Sequence, residues 1–167
     1  MTDASSETGR TSTDEDGPIL VAVDFSPDSE AALLWAGRYA DRAKAALAIL
    51  HVIHDPADAP GSYAQKDADQ LRSLEESATE MLGKFLTKMQ ERHSGLNAIE
   101  NAETSLVKGI PATRILEVAQ TLGAQLIVMG SRGRTGLPHL LLGSKAERVV
   151  QMSPIPVTIV KAHAADD

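Results

Sequence analysis

Residues 130 to 144 read Gly-Ser-Arg-Gly-Arg-Thr-Gly-Leu-Pro-His-Leu-Leu-Leu-Gly-Ser. They follow the apolar run Leu126-Ile127-Val128-Met129, so a buried strand is expected to open into a glycine-rich loop and then a helix start. Gly130 and Gly133 stand three apart, nine residues follow, and Gly143 precedes the hydroxyl of Ser144. Such spacing brings bare backbone N–H groups and a helix N-terminus toward one point, which suits an anion such as a nucleotide phosphate. A second segment, Ala22-Val23-Asp24, ends an earlier apolar run on an acid. Nothing in the chain reads as a phosphate-transfer or hydrolytic engine. There is no Gly-x4-Gly-Lys-Ser/Thr loop, no Gly-x-Ser-x-Gly elbow and no His-Glu-x-x-His. One acid near a phosphate leaves an attacking water unoriented and the developing charge without stabilisation. The expectation is therefore a binding protein with no catalytic residues and at most weak turnover.

The elements that must position these residues alternate. Ile19 to Val23 reads as a strand buried on both faces. Ser26-Pro27-Asp28 supplies an N-cap hydroxyl, a proline at the first helical position and a first-turn acid. A helix follows, with Ala32, Trp35, Ala36, Tyr39, Ala40 and Ala43 as its apolar face. Ala46 to Ile53 is the second strand, and Leu71, Leu74, Ala78, Met81, Leu82, Phe85 and Met89 mark a long amphipathic helix, the two methionines as core. Thr104 to Lys108, Gln125 to Met129 and Pro156 to Val160 read as three more strands. A helix opens at Gly109-Ile110-Pro111 and stops at Gly123, with Ile115, Val118, Ala119 and Leu122 inward; another runs from Ser144 to Gln151. This order predicts an α/β fold: an open five-stranded parallel sheet, Rossmann-like, with helices on both faces. Ligands of such sheets sit at the carboxyl ends of strands where strand order reverses, which directs attention to Asp24 and Gly130.

Composition narrows the rest. The chain has 167 residues, 43% of them hydrophobic, which suits one domain with a real core. A formal charge of −7 argues against nucleic acid as a partner. With no cysteine there are no disulfides and no Cys-ligated metals, and the five histidines show no metal-ligand spacing. His51, inside an apolar strand, reads as a satisfied core or edge residue. No apolar run approaches the ~20 residues that cross a bilayer, and the first residues lack an export-signal pattern. A cytoplasmic protein is expected, with a disordered acidic tail over residues 1–17, a folded domain over 18–161 and a short tail over 162–167.

Val23-Asp24-Phe25-Ser26, Leu50-His51-Val52, Gly109-Ile110-Pro111 and the block from Met129 to Val150 occur in an order that resembles the universal stress protein family. The resemblance is to its ATP-binding branch, whose Gly-x2-Gly-x9-Gly-Ser/Thr signature is matched by Gly130, Gly133, Gly143 and Ser144. It implies the adenine nucleotide alpha-hydrolase-like version of the fold, and ATP with Mg²⁺ as ligand. It places Asp24 near ribose and phosphates, Ala22 and Val23 beside the base, and the Val52 backbone on adenine. Met129 and Gly130 would flank the sugar, with Gly133, Gly143, Ser144 and the amides of Lys145 and Ala146 on phosphate oxygens. Arg132 and Arg134 read either as solvated loop cations or as phosphate contacts, and Arg132, beside Gly133, is counted with the site. Lys145 departs from the small apolar residue common in relatives. The resemblance further implies a homodimer through strand 156–160 and a stress-response or regulatory role acting on a protein partner. An ATP-pyrophosphatase-like or adenylating enzyme is the alternative, against which stands the absence of a Ser-Gly-Gly-x-Asp-Ser loop after strand one. A third reading is an interaction module without nucleotide, which the intact glycine signature disfavours.

Overall fold

The computed structural model describes residues 17–54, 68–133 and 142–163, with backbone alone for 68–73. Five strands form one parallel sheet: β1 (Ile19–Ala22), β2 (Leu47–Ile53), β3 (Glu103–Lys108), β4 (Leu126–Gly130) and β5 (Val157–Val160), in the order β3-β2-β1-β4-β5. Five helices connect them: α1 (Pro27–Ala43), α2 (Ala68–Arg92), α3 (Asn97–Glu100), α4 (Pro111–Thr121) and α5 (Ser144–Met152). From β1 the chain moves outward to β2 and β3, then returns to place β4 on the other flank of β1. Ala22 is therefore in register with both Leu50 and Met129. The reversal lies between β1 and β4, as expected of this sheet order.

Strand alternation divides the core in two. Ile19, Val21 and Ile49 face α1, α2 and α3, meeting Leu33, Ala36, Leu82, Phe85, Met89 and Ile99. Leu20, Leu50, Ile127 and Met129 face α4 and α5, meeting Ile115, Ala119, Ala146 and Val149. Helix α1 starts where its sequence says: Ser26 Oγ accepts from Ser29 N at 3.2 Å, with Pro27 at the first position.

Several details differ from the sequence reading. The inner face of α1 is Ala32, Leu33, Ala36, Gly37 and Ala40, while Trp35 and Tyr39 stand 37% and 44% exposed on its flank. On α2, Met89 is buried, but Leu74 and Met81 are exposed because they lie on the wall of a cavity rather than under another helix. Gly17 and Ala162, assigned to tails, are held by the fold: Gln125 Nε2 donates to the Gly17 carbonyl at 2.7 Å, and Ala162 N to Asp28 Oδ1 at 3.1 Å. Residues 1–16 and 164–167, Arg134, His139 and the Leu71 side chain lie outside the described residues.

Helix α3 has no counterpart in the sequence reading. Its N-cap position is Leu96, which offers no side-chain acceptor, so its first turn depends on a donor–acceptor pair from elsewhere. Asp41 on α1 provides it, accepting from Ala98 N at 2.8 Å. Asp41→Ala is therefore expected to lower stability by about 1 kcal/mol in urea unfolding, the usual cost of a lost cap. It should also release the amide of Ala98 to faster hydrogen exchange, and unchanged exchange there would refute the assignment.

Candidate functional site

A cavity of about 530 Å³ opens at the carboxyl ends of β1, β2 and β4, at the point of strand reversal. Four short segments supply much of its wall. Ala22 closes β1 and Val23 and Asp24 follow it, Val52 lies near the end of β2, and Met129 and Gly130 close β4. Arg132 and Gly133 follow β4, and Gly143, Ser144, Lys145 and Ala146 enter α5. All twelve residues singled out from the sequence thus line one cavity.

Two glycines are fixed by close approach. A Cβ on Gly130 would sit 2.8 Å from the carbonyl carbon of Asp28, so β4 reaches the first turn of α1 only without a side chain there. A Cβ on Gly133 would sit 2.9 Å from Asp24 Oδ2, so the loop runs directly against that carboxylate. Asp24 also accepts from Ser26 N at 3.1 Å, which shapes the turn into α1. Asp24 lies two residues beyond β1 and faces the glycine loop.

At the entry to α5, Gly143 is the N-cap residue and no side chain caps the helix. Its carbonyl accepts from Glu147 N at 2.9 Å, which leaves the N–H groups of Ser144, Lys145 and Ala146 without helical partners. They occupy the positive end of the helix dipole beside the cavity. The Gly143 amide differs from the others: it donates to the Ser131 carbonyl at 2.7 Å and closes the base of the loop instead of facing an anion.

Asp28, read from sequence only as a first-turn acid, holds these pieces together. Its carboxylate is buried and four donors converge on it. Oδ2 accepts from Ser131 Oγ at 2.6 Å, Arg132 N at 3.0 Å and Arg132 Nε at 3.4 Å, while Oδ1 accepts from Ala162 N. Burial pushes the carboxyl pKa up, but the Ser131 hydroxyl, the Ala162 amide and the Arg132 guanidinium together outweigh it and hold the group below its ordinary 3.8. Arg132 is thus neither a solvated cation nor a free anion contact: its guanidinium leans on Asp28 at the cavity wall.

The apolar side of the cavity was less legible. Phe25 takes a left-handed φ of 66°; its ring lies tilted against His51 with centroids 4.3 Å apart and meets Phe85 edge-on at 5.4 Å. His51 Nδ1 lies 2.7 Å from the Val23 carbonyl, an oxygen that can only accept, so that nitrogen carries the proton. Leu74, Ala78 and Met81 of α2 extend the apolar wall. Together these offer a flat aromatic and aliphatic surface at one end and unpaired amides at the other, the two chemistries of a nucleotide.

The sequence profile described as "Universal stress protein family" matches residues 17–161. The chain belongs to the universal stress protein family. It is 34% identical over 154 residues to universal stress protein YxiE of Bacillus subtilis, covering 86% of this chain and 97% of that one. It spans only 45% of the length of a Mycolicibacterium smegmatis universal stress protein to which it is 35% identical. The solved structure of MJ0577, a universal stress protein of Methanocaldococcus jannaschii, superposes with a TM-score of 0.64 at 27% identity, covering 89% and 98% of the two chains. The universal stress protein from Archaeoglobus fulgidus, solved in complex with dAMP, superposes with a TM-score of 0.55 at 25% identity, covering 87% and 98%.

The Asp28 cluster has a pH signature. Because the folded-state pKa is lowered, the cluster's contribution is fully present above the unfolded value and is lost as pH falls through the folded one. Asp28→Asn keeps one acceptor but turns donors toward the remaining N–H groups. It is expected to cost about 2 kcal/mol near neutral pH. The gap from the parent chain should hold down to about pH 5 and shrink below about pH 4. Urea unfolding across that range checks it; a gap independent of pH would show that ionisation of Asp28 is not what holds the loop.

Proposed function

We propose that this chain is an ATP-binding regulatory protein of the cytoplasm, in which occupancy of the cavity changes affinity for a protein partner during stress or metabolic adaptation. The observation that carries the reading is the convergence of three partnerless α5 amides and the Asp24 carboxylate on one cavity at the strand reversal. The dAMP complex of the Archaeoglobus fulgidus relative supports an adenine nucleotide as the class of ligand. In this reading Phe25, Val23 and the Val52 backbone receive the base, Met129 and Gly130 the sugar, and the Gly133 loop with Ser144, Lys145 and Ala146 the phosphates. Among the described residues no three acidic, cysteine or histidine side chains gather as a metal site. In this reading Mg²⁺ would be held by phosphate oxygens with one or two carboxylates, Asp24 being the acid at hand.

Hydrolysis is slow in this reading. No described side chain is placed as both base and charge stabiliser. The enzyme alternative gains nothing from the β1–α1 turn, where the Ser26 and Ser29 hydroxyls are spent on main-chain groups. The protein acts as a homodimer paired through the edge strand β5.

Titration calorimetry with ATP and Mg²⁺ tests the site. The parent chain should bind, and Gly133→Val should lose at least about tenfold in affinity, since its side chain would enter the space between Asp24 and the phosphates. Equal affinity in both would remove the loop from the site. Lys145 adds a finer test: if its ammonium reaches the outer phosphates, Lys145→Val weakens ATP but not AMP. Turnover should stay well below ~1 s⁻¹. Faster multiple turnover abolished by Asp24→Asn would make the protein an enzyme.

A further inference from the structure

The four donors on Asp28 are not equally bound to it. The Ser131 hydroxyl and the amides of Arg132 and Ala162 stand at 2.6, 3.0 and 3.1 Å, and none can leave without turning a buried side chain or moving backbone. The guanidinium can. Arg132 Nε lies 3.4 Å from Oδ2, beyond the usual range of an N–H donor, and its side chain is 28% exposed against 5% for Asp28. Arg132 also borders the anion end of the cavity. A Cβ on Gly143 would meet Arg132 Cα at 3.6 Å, so this side chain springs from beside the entry to α5 and its bare amides. A phosphate bound there offers the guanidinium two oxygens in the fork geometry it matches, in place of one long contact.

At its other oxygen Asp28 holds the chain's exit from the sheet. Ala162 stands two residues beyond β5, at the sheet edge. The end of β5 itself is tied down differently, by Ser131 N donating to the Val160 carbonyl at 2.8 Å. Ala162 is therefore where the hold of the sheet stops and the hold of Asp28 begins. The Ser131 carbonyl in turn accepts from Gly143 N at 2.7 Å. A continuous hydrogen-bonded run thus joins the entry to α5, Ser131, Asp28 and Ala162, with Arg132 as its one loosely held member.

We infer that Arg132 switches between Asp28 and a phosphate in the cavity, and that its position is read at Ala162, where the chain leaves β5. The inference rests on the nucleotide reading above and gives that site an output. The element with two arrangements is the guanidinium, and the ligand favours one of them because it contacts the guanidinium in that one alone. When phosphate takes the guanidinium, the buried carboxylate keeps three donors. Its charge must still be met, so those three are drawn closer and Ala162 is held more firmly. Linkage requires the reverse effect as well. Weakening the Ala162 contact leaves Asp28 more dependent on Arg132, which then yields less readily to phosphate.

The test is a titration of the ¹⁵N-labelled full chain with ATP and Mg²⁺, followed by amide resonances. Those of Ser144, Lys145 and Ala146 should move as the site fills. The Ala162 amide proton should move downfield along the same saturation curve, the sign of a shorter hydrogen bond. Arg132→Gln saturated with ATP should keep the first change and lose the second. Calorimetry then checks the reverse direction: Ala162→Pro, which deletes the donor, should weaken ATP about fivefold in the parent chain and have no effect on affinity when added to Arg132→Gln. An Ala162 resonance that stays still while the α5 amides shift, or that shifts equally in Arg132→Gln, overturns the inference and spares the nucleotide reading. Stationary α5 amides at millimolar ATP remove the nucleotide reading, and the inference with it.

Discussion

One buried carboxylate sets the geometry on which the rest of the site depends. Asp28 sits in the first turn of α1 yet spends its two oxygens on the segment after β4 and on Ala162, two residues beyond β5. A buried charge must be met by donors, and here those donors belong to parts of the chain far apart in sequence. The requirement to satisfy one group therefore fixes where β4 hands over to its loop and where the chain leaves β5. It also explains why Gly130 has no side chain, since the two backbones must come close enough for the loop to reach the acid.

Around that fixed point the sheet reversal does the remaining work. β1 and β4 diverge to connections on opposite faces, which opens a crevice at their carboxyl ends that no side chain from the sheet can fill. The crevice is lined by groups with opposed preferences: aromatic and aliphatic surface from Phe25, His51 and α2, and bare amides from α5. The loop base is closed by the Gly143–Ser131 and Ser26–Arg132 hydrogen bonds.

What could be read from the sequence and what could not divide along the range of the interactions. β1, β2 and β4 are apolar throughout, His51 excepted, because both faces of each are covered, and the glycine loop announces itself because its demands are local. Helix α3 was invisible because its cap, Asp41, lies 57 residues away. Asp28 looked like an ordinary first-turn acid because its partners are 103, 104 and 134 residues distant. Helical spacing puts Trp35 and Tyr39 on the apolar face of α1 because it separates faces but does not tell the centre of a buried face from its flank. It likewise puts Leu74 and Met81 on the apolar face of α2, although the surface they cover is that of a cavity.

Phe25 carries a different consequence. A non-glycine residue in the left-handed region costs about 1–2 kcal/mol, and here its ring contacts Phe85 in the α1–α2 core and His51 at the cavity. The same side chain is therefore a wall of the site and a part of the hydrophobic interior. A substitution at Phe85 made for stability alone would shift the surface on which a ligand rests, and a substitution at Phe25 made for ligand preference would be felt as lost packing. At this position natural variation in folding and natural variation in recognition are one variable, not two.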